Sequence, residues 1–499
     1  MEERFGKALI QSGKSVECRM PISLTKPESP YPEGEVSDSI KEVLEAIQVW
    51  GYGRVGRDPA EIPGIIDLTR YRQRQAYRND VPAHKVHEWA RATPEVEDAG
   101  YKGQMDLIYA KFRTTAYQDP VILCGIAHHI DEIHAAAQVL YPHAASNLHR
   151  PLLATVPISM LNGFSLRDAA GEHGVVLQDG LRCAPLQVAS EIGRHLFVPH
   201  PKGVCVDIDP QNLISRLGLD TQWADSFLGY FLKDVSEPHM FVPSDQRRDE
   251  IRAGDARHAY EAIGAGFRTF VLAHEYAHCL LGHLNQIQPT FDGPRMMRVE
   301  KFIEETITLA RIKYPQYDQA SDEQLTAFAL THALEFEADE VGLKLLINVL
   351  RNSGADRGTR NMWLMGALAF FWYVEILERV HRTFEMGDSW FGNDLYENDF
   401  HVQGLLLRPT HPAPLERADV LVQTMLFEEV EEGVKQDVLA SWRWLTALHE
   451  KAWKIAGPVV AAAIVSQKLT VDPKWADEIP IELVAIGVRT SPRSSSCNG

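Results

Sequence analysis

Apolar residues recur at helical spacing through most of the second half of the chain. From about residue 255 onward the pattern predicts helices near 257–284, near 296–313, over 321–350 and over 358–383, with one or two more between 414 and 456. Ser321, followed three residues later by Gln324, is a capping-box start for the third of these. The longest apolar run, MWLMGALAFFWYV at 362–374, is bounded by Arg360 and Glu375. It falls short of the ~20 residues a membrane-spanning helix needs, so a buried core helix is expected there. Between about 40 and 250 the pattern is mixed, with helical periodicity in IKEVLEAIQVW (40–50) and strand-like runs in PVILCGI (120–126) and GVCVDID (203–209).

The expected class is therefore α+β, with a mixed N-terminal region over 1–250, a mainly α-helical domain over 251–470 and a tail over 471–499. Residues 25–39, TKPESPYPEGEVSDS, are rich in Pro, Gly and charge without apolar periodicity and read as a linker or surface arm. The last residues, RTSPRSSSCNG, read as a frayed end. No repeat at a period of 20–50 residues is evident.

Composition narrows the class without naming a function. A chain of 499 residues exceeds what one core usually organises, and 45% hydrophobic with 24% charged residues is ordinary for a folded protein. A net charge of −18 argues against a general nucleic-acid coat. The best local basic patch is RYRQRQAYR (70–78), where Arg70, Arg72, Arg74 and Arg78 interleave with Tyr71 and Tyr77, and it reads as a solvated, salt-bridged face. Cysteines at 18, 124, 183, 205, 279 and 497 form no CxxC pair, so neither a disulfide framework nor a thiolate metal site is expected. The N-terminus, MEERFGKALIQSGKSVECRMP, lacks the apolar stretch of a secretory signal. A soluble cytoplasmic protein is the expectation.

The chemistry concentrates in FVLAHEYAHCLLGHL, residues 270–284. On a helix His274 and His278 lie about 40° apart around the axis and about 6 Å apart along it, so one ion can touch both. This HExxH arrangement suits zinc hydrolysis: neutral imidazoles bind the ion, a coordination position stays open for water, and Glu275 can serve as general base. The competing reading is a buried helix whose polar residues fall this way by chance. His283, five residues beyond His278, is about 140° around a continued helix and is expected to point elsewhere. Position 284 is leucine, which excludes the metzincin pattern.

A third ligand emerges from the helix at 321–350. Glu337, Glu340 and Lys344 form one polar stripe, read as a solvated face with a Glu340–Lys344 ion pair. His332, Glu335 and Asp339 form another, about 200° away, which must look inward. A buried carboxylate there needs a cation, and a zinc ion held by His274 and His278 is one candidate; an ion pair with Arg298 or Arg311 is the alternative. Asp339 is placed to accept the free N–H of a ligating histidine. In AHHIDEIHAAA (127–137), His129 and His134 are five apart and do not make a ligand pair. His128 and Asp131 are at i,i+3, and ordinary surface or capping roles are expected for this cluster rather than a second metal.

HEYAHCLLGH followed by EFEAD resembles the gluzincin metallopeptidases of the M48 type, whose pattern is HExxH then ExxxD. THPAPLERADVL (410–421) is similar to that family's downstream HPxxxxR segment. The resemblance covers perhaps 200 residues and implies a zincin-type metallopeptidase domain with one zinc per chain, His274, His278 and Glu335 as ligands, Asp339 orienting a histidine, and His411 and Arg417 near the cleft. Family members of the CAAX-prenyl and heat-shock type carry spanning helices, which this chain does not show. The soluble Lit-type phage-exclusion peptidases are another HExxH group it resembles, implying an intracellular protein target in bacterial defence.

The expected activity is hydrolysis of a peptide bond in a protein or peptide substrate, with Glu275 taking a proton from water. Candidates for the oxyanion donor are His411, Arg417, Tyr396 and His401. Two alternatives stand beside it. One is a non-catalytic sensor or interaction protein in which zinc is structural or absent. The other is a gated protease of a defence or stress response, in which residues 1–250 control access to the cleft and respond to a regulatory partner. Against gating stands the plainer expectation that the first half completes the fold and supplies part of the substrate groove.

Overall fold

A computed structural model describes residues 38–54, 115, 118, 120–156, 163–168, 170–178, 181, 197–200, 203–206, 212, 215, 257–284, 293–313, 322–386, 414–427 and 432–467. Among these the architecture is mainly helical with one small sheet, which fits an α+β class. The chain forms α1 (Asp38–Arg54), α2 (Pro120–Leu140), a single turn at Pro142–Ala145, and strands β1 (Leu152–Val156), β2 (Gly163–Arg167), β3 (His173–Gln178), β4 (Phe197–His200) and β5 (Gly203–Val206). It continues with α3 (Arg257–Leu280), α4 (Gly293–Lys313), α5 (Asp322–Asn352), α6 (Arg357–Met386), α7 (Pro414–Phe427) and α8 (Glu432–Gln467).

The first sheet has the order β1-β3-β2, with β1 parallel and β2 antiparallel to β3. Alternation along its strands divides the side chains between two helical layers. Leu152, Ala154 and Val156 of β1, Leu166 of β2 and Val176 of β3 pack on Ile40, Val43, Leu44 and Ile47, the i, i+3, i+4, i+7 stripe of α1. Leu153 of β1 and Val175 and Leu177 of β3 face the other way and join the large core formed with α2, α3, α5 and α6. That core runs across residue 250: Ile126, Ile130 and Ile133 of α2 belong to the same cluster as Phe267, Leu346 and Phe371. β4 and β5 pair with each other, antiparallel.

PVILCGI, which reads as strand-like, instead opens α2. A short apolar run fits either a strand or a buried helix. The residues after it decide, since Ile126, Ile130, Ile133 and Ala137 repeat at spacings of four, three and four and are all buried. GVCVDID does form a strand, over Gly203–Val206. The arm predicted over 25–39 and the basic patch at 70–78 lie outside the described residues, apart from Asp38 and Ser39, which open α1. The MWLMGALAFFWYV run sits within α6 and is largely buried, and no helix among the described residues is long and apolar enough to cross a membrane. α8 continues past the predicted limit near 456, through an exposed Pro458 to Gln467.

α3 is the central element, buried at nearly every position from Ala262 to Ala277. It crosses α6 at backbone contact, because a Cβ on Gly266 would overlap the Trp363 carbonyl and a Cβ on Gly366 would overlap the Ile263 carbonyl. Phe267 and Phe270 then pack edge-on or tilted against Phe370, Phe371 and Tyr373 on either side of that crossing.

The crossing makes a direct prediction. Gly266→Ala or Gly366→Ala forces α3 and α6 apart, and each should lower unfolding free energy by about 3 kcal/mol or more, the upper end of overpacking costs. Urea unfolding followed by circular dichroism checks it; a variant with wild-type stability would show that the helices are not this close.

Candidate metal centre

α3 presents His274 and His278 on one face, and α5 crosses beside them. The crossing is close because residue 342 is glycine: a Cβ there would lie 2.9 Å from the His274 nitrogen and 3.0 Å from its Cα. This approach brings the inward stripe of α5 to the histidines. His332, Glu335 and Asp339 are all buried, as the stripe predicts, and Glu340 and Lys344 form the expected surface pair at 2.6 Å.

Three ligand atoms converge. His274 Nε2 and His278 Nε2 lie 3.1 Å apart, with Glu335 Oε2 3.4 Å from the first and Glu335 Oε1 3.4 Å from the second. These spacings match the ~3.3 Å edge of a tetrahedron whose metal–ligand bonds are ~2.0–2.1 Å. The group could hold a metal ion. Its formal charge supports that fit. Glu275, Glu335 and Asp339 are buried with Arg417 as the guanidinium beside them, and three carboxylates against one arginine leave an excess that draws a proton onto His274 and that a divalent cation would neutralise in its place.

Each ligand is supported from behind. Asp339 Oδ1 lies 2.9 Å from His274 Nδ1, which leaves Nε2 of that ring for the ion. Arg417 of α7 holds the same carboxylate in a fork, Nε donating to Oδ2 at 2.7 Å and Nη2 to Oδ1 at 2.8 Å, and lies 3.4 Å from Glu335. Burial, the largest single influence, would raise the Asp339 pKa, but the Arg417 guanidinium and His274 together outweigh it and hold the carboxyl below its usual range. Burial also pulls His274 down, yet Asp339 and Glu335 raise it to about 10. His278 goes the other way, kept neutral by burial against the opposing pull of Glu335.

Glu275 is buried beside the ligands, and its carboxylate is met from the sheet. Ser165 of β2 lies 2.8 Å from Glu275 Oε2 and 2.7 Å from the Glu275 carbonyl oxygen, so its single hydroxyl proton is shared between them. A Cβ on Gly163 of the same strand would come within 3.2 Å of Glu275 Oε1. Burial pushes the Glu275 carboxyl above its usual range, against the lowering effects of His274 and the Ser165 hydrogen bond.

His274, Glu275, His278, Glu335, Asp339 and Arg417 are thus brought together. Arg417 is the arginine that meets Asp339; Arg298 is exposed and the Arg311 side chain lies outside the described residues. His411, Tyr396 and His401 also lie outside them. Ser165 carries no local signal in the sequence, being 110 residues from Glu275.

His283 departs from expectation. α3 stops at Leu280, and Gly282, at φ 71°, turns the chain back in a Schellman cap, with His283 N–H bonded to the His278 carbonyl at 3.1 Å and Gly282 N–H to Cys279 at 3.3 Å. His283 Nδ1 therefore lies 2.9 Å from His278 Nδ1, and its Nε2 lies 3.3 Å from Glu337 Oε2. Gly282, just past the last periodic residue, was the available signal.

The histidines of α2 are also more buried than a surface or capping role implies. His134 bonds the Tyr276 hydroxyl at 2.6 Å, tying α2 to α3. His128, His129 and Glu132 are grouped closely enough to hold an ion. However, burial and the nearby Arg268 cation lower the His129 pKa to about 3, and that cation would equally repel a metal.

Compared with known proteins, the chain matches no protein-family model, no curated protein and no solved structure.

Arg417→Leu leaves Asp339 without its guanidinium and should destabilise the fold by about 3–5 kcal/mol, the cost of stranding a buried charge. Chemical denaturation of the variant measures this, and a loss under 1 kcal/mol would mean that Asp339 is satisfied without Arg417.

Proposed function

We propose that the chain is a zinc metallopeptidase of the gluzincin type that hydrolyses a peptide bond in a protein substrate. The carrying observation is the convergence of His274, His278 and Glu335 beside a separately anchored Glu275. A purely structural site has no need of a buried carboxylate next to its ligands. Two imidazoles and one carboxylate are a donor set suited to zinc with a position left open. The M48-type reading gains support from one contact: the aspartate of ExxxD and the arginine of HPxxxxR, distant in sequence, are here Asp339 and Arg417, joined by two hydrogen bonds.

Zinc, when bound, would polarise the scissile carbonyl and lower the pKa of water toward ~7. Glu275 takes the proton from the attacking water and delivers it to the leaving amine. Ser165 occupies Oε2, which leaves Oε1 for that traffic. Burial raises the Glu275 pKa, the direction that strengthens a carboxylate as a proton acceptor. Asp339 and Arg417 act through His274 and are positioning residues.

A peptide substrate also suits the sheet. β2 is its outer strand and among the described residues pairs with β3 alone, while Ser165 on that strand reaches the base. An extended chain would add alongside β2, beside the strand that carries Ser165, by ordinary strand hydrogen bonding.

The purified protein should carry about one zinc per chain, lost in His274→Ala, His278→Ala or Glu335→Ala, whereas Glu275→Gln should keep the metal and lose hydrolysis by ~10³-fold or more. Metal analysis alongside cleavage of an unstructured protein such as denatured casein tests both parts; a Glu275→Gln enzyme as fast as wild type would sink the mechanism.

Ser165→Ala removes one donor to the Glu275 carboxylate without touching a ligand. Its kcat should fall about 10–100-fold with zinc content unchanged, in line with a hydrogen bond to a charged group being worth ~1.5–3 kcal/mol. Steady-state kinetics showing only a KM change would instead assign Ser165 to substrate binding.

A further inference from the structure

The two histidines on α3 are supported differently. His274 has a carboxylate directly behind it, 2.9 Å from Nδ1, whereas the atom behind His278 Nδ1 is another imidazole nitrogen, that of His283, also at 2.9 Å. A Schellman cap brings the second residue after the helix end back over the third residue before it. In Schellman caps that juxtaposition is frequently filled by an apolar contact; here the two positions hold His283 and His278.

We propose that His283 and Glu337 form a positioning relay that selects the metal-binding tautomer of His278 and sets the affinity of the site. The inference rests on the metal centre described above. If Nε2 of His278 is to face an ion, its proton must sit on Nδ1 and be donated onward. His283 Nδ1 receives it only when that nitrogen is bare, so the His283 proton must be on Nε2. Glu337 Oε2, 3.3 Å from that nitrogen, is the acceptor that favours this arrangement. The reverse tautomers would put a proton on His278 Nε2 and block the ligand atom. The chain of bonds is thus directional, from His278 Nδ1–H to His283 Nδ1, and from His283 Nε2–H to Glu337.

Three carboxylates of α5 then serve the proposed metal face. Glu335 is the ligand, Asp339 orients His274 and Glu337 orients His278 through His283. Glu337, counted by spacing as part of a solvated stripe, is only 19% exposed at its side chain.

The test is zinc affinity measured by competition with a chromogenic chelator on the full-length protein, with circular dichroism as the control for folding. His283→Leu should weaken zinc binding about 10–100-fold, the usual effect of losing such support. His283→Asn, whose amide oxygen stands close to where Nδ1 stood, should recover most of that loss, which a packing role for the ring would not produce. Glu337→Ala should weaken binding by a smaller factor, since it removes tautomer selection and leaves the first hydrogen bond. Wild-type affinity in His283→Leu overturns the relay while leaving the metal centre intact. A wild-type protein that takes up no zinc overturns both together. If His283→Leu does not fold, Glu337→Ala decides, and unchanged affinity there removes the relay.

Discussion

Asp339 is fully buried, and a carboxylate removed from water at that depth has to be met on both oxygens. Arg417 and His274 meet it, and much of the site's geometry follows from their doing so. α7 must lie where its arginine can fork onto α5, and α5 must approach α3 closely enough for His274 to reach, which the glycine at 342 permits. The pair also decides the charge left over. With Asp339 and Arg417 cancelling each other, Glu335 and Glu275 are the buried carboxylates that remain beside the histidines among the described residues.

What the sequence made legible was what repeats locally. His274, His278, Glu335 and Asp339 are set by 3.6-residue spacing within two helices, and the inward direction of Glu335 follows from its lying about 200° from Glu337, which is itself part-buried against His283. The helices of the second half follow from the same periodicity. What stayed hidden depends on contacts between distant segments or on how an element ends. PVILCGI was ambiguous because seven apolar residues satisfy a strand and a buried helix alike, until the spacing of the isoleucines beyond it is considered. His283 was placed on a helix that does not extend that far. Arg417 stood out only through its resemblance to a family segment, and nothing in its own surroundings names Asp339 as its partner.

The first half of the chain carries no recognisable catalytic motif, yet it is not separable from the site. α2 shares a core with α3 and is tied to it by His134 and Tyr276, and β2 brings Ser165 to Glu275. A motif marks where the chemistry is concentrated. It does not mark where the folded unit that supports the chemistry begins.

The link between Ser165 and Glu275 spans 110 positions, with the serine made first. As the chain is synthesised, β2 is complete long before the helix bearing the glutamate exists, so the hydrogen bond between them is among the long-range contacts formed late. Until it forms, the glutamate lacks its partner. A nascent or partly folded chain therefore holds its histidines and glutamate in order along one helix before Ser165 meets that glutamate, and the proposed base is assembled only once the first half has docked.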